Sequence, residues 1–295
     1  MILNETSTLS NGVLIPRLGF GTWMIPSDDA ARAVREAIGI GYRHIDTAQA
    51  YGNETGVGEG VRTSGIARDQ IFVTTKLVAE SKSHADAAAR IDASLQALGL
   101  DHIDLMLIHS PQPWADFRED DRYFEGNLEA WRALEDAYRA GKLRAIGVSN
   151  FERVDIENLS RNGSFAPMVD QVLAHVGDTP FDLVDYAQSQ GILVQAYSPV
   201  AHGAVLNDAG LNEMAGRYGV SVPQLCIRYC LQLGLSPLPK TSNPAHMREN
   251  AAVDFMITDA DMNTLRRTRD PDYGEASMFP VFGKKRVAET TTAEN

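Results

Sequence analysis

The stretch Tyr42-Arg43-His44-Ile45-Asp46-Thr47-Ala48-Gln49-Ala50-Tyr51-Gly52 decides how the rest of the chain is read. A short apolar run ends in a carboxylate at Asp46, and a phenol follows five residues later at Tyr51. A strand that stops at Asp46 and opens into a short loop brings both side chains to one rim. Desolvating a carboxylate is costly unless the charge is paired, so a cation is expected nearby. The next apolar run, Ile71-Phe72-Val73-Thr74-Thr75-Lys76, ends in one. The run after it, Ile103-Asp104-Leu105-Met106-Leu107-Ile108-His109, ends in an imidazole.

Outward from this stretch the pattern repeats. Apolar runs at 18–23, 71–76, 103–109, 143–148, 168–171, 192–197 and 235–238 join the run ending at Asp46 to give eight expected strands. Helices are expected at 28–40, 53–63, 84–98, 125–140, 151–160, 181–190, 211–219, 222–232, 244–252 and 259–267. The strands lack polar alternation, as parallel strands covered on both faces do. Doubly wound sheets share this order, but the count of eight and the length favour one (β/α)8 TIM barrel over residues 1–295. Leu9-Ser10-Asn11-Gly12-Val13-Leu14 reads as a β-hairpin ahead of the barrel, placed to plug one end. From residue 270 the chain reads as an irregular C-terminal arm, with residues 286–295 expected to be disordered.

Composition narrows the function classes. The chain has 295 residues, 44% of them apolar, and a net charge of −12. Nucleic acid and anionic membranes need a basic face, so neither is expected as a partner. There is no leader pattern and no apolar run near the ~20 residues of a membrane helix. Cys226 and Cys230 read as reduced, buried thiols, which fits a cytoplasmic protein. Two thiols alone make a poor metal site, and no metal is expected. A monomer or weak homo-oligomer acting on a small molecule is the expectation.

In a (β/α)8 barrel the chemistry sits at the C-terminal strand ends. Asp46, Lys76, His109, Ser149-Asn150, Gln171, Tyr197-Ser198 and Lys240-Thr241-Ser242 all fall there. Any one of them is explained by a strand leaving the core; Asp, Lys and His beside a Tyr are not. A phenol near an ammonium is a general acid whose pKa the cation lowers toward the working range. Tyr51 would protonate a carbonyl oxygen, Asp46 would hold Lys76, and His109 would orient the substrate. Protein side chains supply no hydride, so a cofactor is implied. Two rival readings stay open: a Schiff-base aldolase or lyase with Lys76 as nucleophile, and a catalytically silent barrel.

Several motifs together resemble the aldo-keto reductase family over residues 12–250, especially its prokaryotic diketogluconate reductase-like branch. They are Gly19-Phe20-Gly21-Thr22-Trp23, Gly41-Tyr42-Arg43-His44-Ile45-Asp46-Thr47-Ala48, Tyr51-Gly52-Asn53-Glu54, Leu105-Met106-Leu107-Ile108-His109, Gly147-Val148-Ser149-Asn150-Phe151, Ala196-Tyr197-Ser198-Pro199 and Leu238-Pro239-Lys240-Thr241. The resemblance implies reduction of a small aldehyde or ketone, a keto-sugar among the candidates, by NAD(P)H. It gives Asp46, Tyr51, Lys76 and His109 as the catalytic set. Thr22, Asp46, Ser149, Asn150, Gln171, Tyr197, Ser198, Lys240, Thr241, Ser242, His246, Glu249 and Asn250 would meet the cofactor, with Tyr197 stacked on nicotinamide and Ser149, Asn150 and Gln171 at its carboxamide. Trp23, Tyr51, His109 and Trp114 would meet substrate.

The sequence departs from the family pattern in three places. His246 stands where an arginine is usual, which weakens the grip on a 2′-phosphate, so NADPH is expected first but NADH is within reach. Ser110 replaces the tryptophan after the catalytic histidine, with Trp114 four residues on. Leu173-Ala174-His175-Val176 replaces an acidic-aromatic-His-Pro run, and His175 reads as structural. His44 reads as a barrel-interior residue, His202 as a loop residue, and Arg118-Glu119-Asp120-Asp121-Arg122 as a solvated loop face.

Overall fold

The computed structural model describes residues 1–269 and 271–283. The expected disorder of residues 286–295 lies outside the described residues. A hairpin of β1 (Thr6–Thr8) and β2 (Leu14–Pro16) precedes everything else. Its turn closes with Leu9 N–H donating to Val13 O at 2.9 Å, and Gly12 takes φ +85°, which a residue with Cβ rarely adopts. Asn11 Nδ2 donates to Arg144 O, and Leu9 and Ile15 are buried. The hairpin therefore lies against the end where the barrel strands begin.

Eight parallel strands follow: β3 (Phe20–Gly21), β4 (His44–Asp46), β5 (Phe72–Leu77), β6 (Leu105–Ile108), β7 (Ile146–Ser149), β8 (Val169–Leu173), β9 (Leu193–Tyr197) and β10 (Ser236–Leu238). They pair in sequence order from β3 to β10. Gly19 and Gly21 N–H groups donate to Pro237 O and Pro239 O at 3.1 and 3.0 Å, bringing first and last strands together into a nearly closed barrel. A Cβ on Gly19 would stand 2.4 Å from Leu238 Cδ2, so glycine permits this approach.

The helices are α1 (Ser27–Ile40), α2 (Glu54–Arg62), α3 (His84–Leu98), α4 (Phe124–Arg139), α5 (Arg153–Asn162), α6 (Phe181–Ser189), α7 (Ala209–Tyr218), α8 (Val222–Gln232), α9 (Pro244–Ala251) and α10 (Asp259–Arg267). In α1, Ala30, Val34, Ala37 and Ile38 recur at helical spacing and bury one face. The glycines of α2 serve packing: a Cβ on Gly58 would lie 1.9 Å from Leu98 O at the end of α3.

Boundaries differ from expectation where side chains compete with the backbone. The run 103–109 yields only Leu105–Ile108, because the Asp104 carboxylate takes Val73 N–H, Arg68 and Arg144 at 2.9, 2.7 and 2.6 Å. Helix α5 starts at Arg153 and not at Phe151, fixed by a reciprocal cap between Glu152 and Asp155. Helix α7 starts at Ala209, where the Asp208 side chain accepts from Leu211 N–H. Among the described residues the arm after α10 carries two short 3-10 turns, Gly274–Met278 and Pro280–Phe282.

Candidate active site

Strand β4 ends by placing Asp46 in the barrel mouth, and β5 places Lys76 beside it. Lys76 Nζ donates to Asp46 Oδ1 at 2.5 Å, to Thr47 O at 2.9 Å and to Tyr51 Oη at 3.4 Å. All three ammonium hydrogens are thus engaged, and Lys76 is 1% exposed. The Asp46 carboxylate beside it favours the charged ammonium, which argues against Lys76 as a Schiff-base nucleophile. The second Asp46 oxygen accepts Gln171 Nε2 at 2.8 Å. Each carboxylate oxygen therefore has a donor, as a buried charge requires.

Tyr51 sits in a single 3-10 turn after β4, ended by Gly52 at φ +67°. Its ring meets His109 edge-on at 5.8 Å, and His109 meets Trp114 at 5.1 Å. The electrostatics correct one expectation. Burial, with the Asp46 charge added to it, pushes the Tyr51 phenol well above its ordinary range despite the neighbouring ammonium. Burial also lowers the Lys76 ammonium, against the pull of Asp46. Burial, reinforced by Lys76, holds His109 well below the usual imidazole range. These directions favour the protonated phenol at Tyr51 and the neutral imidazole at His109.

Asp46, Tyr51, His109 and Gln171 floor a groove of about 700 Å³ that crosses the barrel mouth. Asp46, Tyr51, His109, Ser149, Asn150, Gln171, Tyr197, Ser198, Lys240, Thr241, His246, Glu249 and Asn250 line it, as do Trp23 and Trp114. Three sequence candidates are not among the lining residues: Lys76 is buried and reaches the groove only through its bonds to Asp46 and Tyr51, Thr22 is fully buried with its hydroxyl donating to Asp46 O at 2.9 Å, and Ser242 is exposed. Of the three residues placed at the carboxamide, two are already engaged. Ser149 Oγ donates to Gln171 O, while Asn150 donates to His109 O and accepts from Tyr197 Oη at 2.7 Å. Gln171 alone keeps a carbonyl, Oε1, without a partner among the described residues.

The roof of the groove comes from loops. Trp23 packs at 5.0 Å from Phe279 and 5.5 Å from His202, and His202 packs at 5.7 Å from Phe282. His202 is thus a roof residue and not a free loop histidine; it holds φ at 52°, with Ser198 and Ala201 also positive. Phe282 was invisible as a site residue because it lies in an irregular arm without periodicity. His175 is structural, as expected: buried, with Nδ1 at 2.7 Å from Val176 O and Nε2 at 2.7 Å from Tyr273 Oη, it ties the arm to the barrel. His44 is likewise interior, bonded to Thr74 Oγ1 at 3.0 Å. The run 118–122 is only partly solvated: Glu119, Asp120 and Asp121 are exposed, but Arg118 donates to Val281 O and Gly283 O, and Arg122 pairs with buried Asp155.

Among the described residues no helix is long and apolar enough to cross a membrane, and no cluster of three or more His, Cys, Asp or Glu could hold a metal ion. The sequence profile described as "Aldo/keto reductase family" matches residues 17–270. The chain belongs to the aldo/keto reductase family. It is 39% identical over 265 residues to the glyoxal reductase of Bacillus subtilis, covering 89% of this chain and 92% of that protein. An uncharacterized oxidoreductase of the same organism is 40% identical over 284 residues, covering 92% and 97%. A Bombyx mori aldo-keto reductase solved in complex with NADP is 32% identical, with a TM-score of 0.83 over 95% of this chain and 99% of that one. The aldo/keto reductase of Brucella melitensis is 36% identical, with a TM-score of 0.84 over 90% and 98%. The chain is accordingly an oxidoreductase that reduces small carbonyl compounds with a nicotinamide cofactor.

Proposed function

We propose that this aldo-keto reductase uses Tyr51 as the general acid toward a small, uncharged aldehyde or ketone. The observation that carries the reading is the line from Asp46 through buried Lys76 to Tyr51 Oη, at 2.5 and 3.4 Å, with Asp46, Tyr51 and His109 lining the groove. The groove suits the cofactor: an unengaged Gln171 Oε1, the Tyr197 ring as a wall, and Lys240, Thr241, His246, Glu249 and Asn250 at the far end. When bound, the reduced nicotinamide supplies the hydride. Tyr51 donates its phenolic proton to the carbonyl oxygen, so hydride on carbon and proton on oxygen balance to an alcohol. His109, neutral, orients the same oxygen. Lys76 stabilises the phenolate left on Tyr51, which regains a proton from water.

Around Tyr51 and His109 the lining is Trp23, Met24, Trp114, Phe279, Val281 and Phe282. No lysine or arginine lines that half, and the nearby Arg118 is committed to backbone carbonyls of the arm. This favours neutral, apolar or aromatic carbonyls over anionic keto-sugar acids. At the adenine end Lys240 is the one lysine or arginine lining the groove among the described residues, with Glu249 beside it. NADPH is the proposed cofactor, with a narrow margin over NADH. Absorbance assays of NADPH and NADH oxidation with benzaldehyde, an aliphatic ketone and a keto-sugar acid test both points. Fast benzaldehyde turnover, modestly faster with NADPH than with NADH, is expected; turnover confined to the keto-sugar acid would overturn the substrate assignment, and faster turnover with NADH the cofactor assignment.

A further inference from the structure

Gln195 stands in the middle of β9, opposite Gln171 of β8 in the parallel register. It is fully buried and is not among the groove's lining residues. A buried glutamine in an otherwise apolar strand is costly unless its amide has work to do. Its Oε1 accepts Gln171 Nε2 at 3.0 Å. The same Gln171 Nε2 donates to Asp46 Oδ2 at 2.8 Å. A carboxylate cannot donate, so the Gln171 atom facing Asp46 is necessarily the NH2 group. Its second hydrogen goes to Gln195, and the amide is held from both sides. A flipped Gln171 would set its carbonyl against the Asp46 carboxylate and leave Gln195 Oε1 without a donor. The one orientation left presents Gln171 Oε1 to the groove, as an acceptor with no partner among the described residues.

We infer that Gln195 is a positioning residue: through Gln171 it fixes the acceptor that reads the amide N–H of the nicotinamide carboxamide. The inference rests on the cofactor placement proposed above. The bonds run Gln195 Oε1 to Gln171 Nε2, Gln171 Nε2 to Asp46 Oδ2, and Asp46 Oδ1 to Lys76 Nζ, which reaches Tyr51 Oη. Carboxamide recognition and the proton donor thus hang on the two oxygens of one carboxylate. Removing the Gln195 acceptor frees one Gln171 hydrogen and lets the amide rotate away from the groove. The Gln195 side chain itself touches neither cofactor nor substrate.

The test measures dissociation constants by fluorescence titration for wild type, Gln195→Met and Gln195→Glu. The ligands are the tighter-bound of NADP+ and NAD+, its 3-acetylpyridine analogue, which has a methyl ketone in place of the amide, and the matching ADP-ribose, which lacks the ring. Methionine keeps the volume and removes the acceptor; a buried, protonated glutamate keeps the acceptor carbonyl. Gln195→Met is expected to weaken the dinucleotide about five- to ten-fold, the size of one lost hydrogen bond. It should also erase most of the preference for the amide over the acetyl analogue and leave the ADP-ribose constant unchanged. Gln195→Glu should restore both values to within about twofold of wild type. Equal weakening of ADP-ribose and dinucleotide, or an unaltered preference for the amide, would overturn the inference and leave the reductase reading standing. A folded wild-type chain that binds neither dinucleotide would overturn both.

Discussion

The floor and the roof of the groove are built by different means. The floor is carried on strands and held by hydrogen bonds: Asp46, Lys76 and Gln171 each engage two or more partners at 2.5–3.4 Å. The roof is carried on loops and the C-terminal arm and held by ring contacts among Trp23, His202, Phe279 and Phe282, with centroids 5.0–6.3 Å apart. A floor tied this way fixes reacting atoms, because buried polar groups lose much when displaced. A roof of ring contacts sets shape and apolar character but tolerates repacking. Chemistry should therefore fail when the floor is altered, and selectivity should drift when the roof is.

The largest effect belongs to Tyr51. Tyr51→Phe removes the proton donor and should cost about 10²–10⁴ in turnover, while cofactor affinity by titration stays within about twofold. Near wild-type turnover would end the assignment of Tyr51. Next is Lys76→Met, which leaves the Asp46 charge buried and unpaired. Urea unfolding should show a loss of about 3–5 kcal/mol, together with lost activity. An unchanged unfolding midpoint would mean that the pair does not hold the floor.

Roof changes come third. Phe282→Ala should raise KM for an aromatic aldehyde by about tenfold, through lost apolar contact, with kcat nearly constant. A fall in kcat with KM unchanged would make the roof part of the chemistry and erase the distinction. His175→Ala, which releases Tyr273, should act in the same direction by loosening the arm that carries Phe279 and Phe282.

The smallest expected effect is that of pH. Tyr51 is raised, so the proton it must give is retained well past the ordinary phenol value of about 10. His109 is lowered, so it is neutral already at the ordinary imidazole value of about 6.5 and charges only on further acidification. Between those limits both groups keep the form that reduction needs. The kcat/KM profile should be flat from about pH 7 to 9; a bell within that window would contradict these burial-driven shifts.

The same division explains what the sequence made legible. Asp46, Lys76 and His109 stand where apolar runs stop, and the eight runs with their helices sufficed to place a barrel. The Lys76–Asp46 contact followed from the cost of an unpaired buried charge. Gln195 left one usable signal, a glutamine inside the run Ile192-Leu193-Val194-Gln195-Ala196-Tyr197, but its partner lies on another strand and only the register identifies it. The direction of the Tyr51 shift was missed because it depends on how much water the folded loop excludes, and proximity of a cation does not measure that. The roof was hardest: Phe282, His202 and the inward-turning Arg118 and Arg122 sit in loops without periodicity, where tertiary contacts decide orientation.

The most direct test of the central claim is isotopic. Wild-type protein is supplied with benzaldehyde and the tighter-bound reduced cofactor, deuterated at one or the other of its two C4 positions, and the alcohol is weighed. With Tyr197 as the proposed wall on one face of the ring, a single face is left toward Tyr51 and His109. Deuterium should therefore reach the alcohol carbon from one C4 epimer only, and Tyr51→Phe should abolish most of the product. Label arriving equally from both epimers, or no alcohol from folded, cofactor-bound protein, would contradict the account.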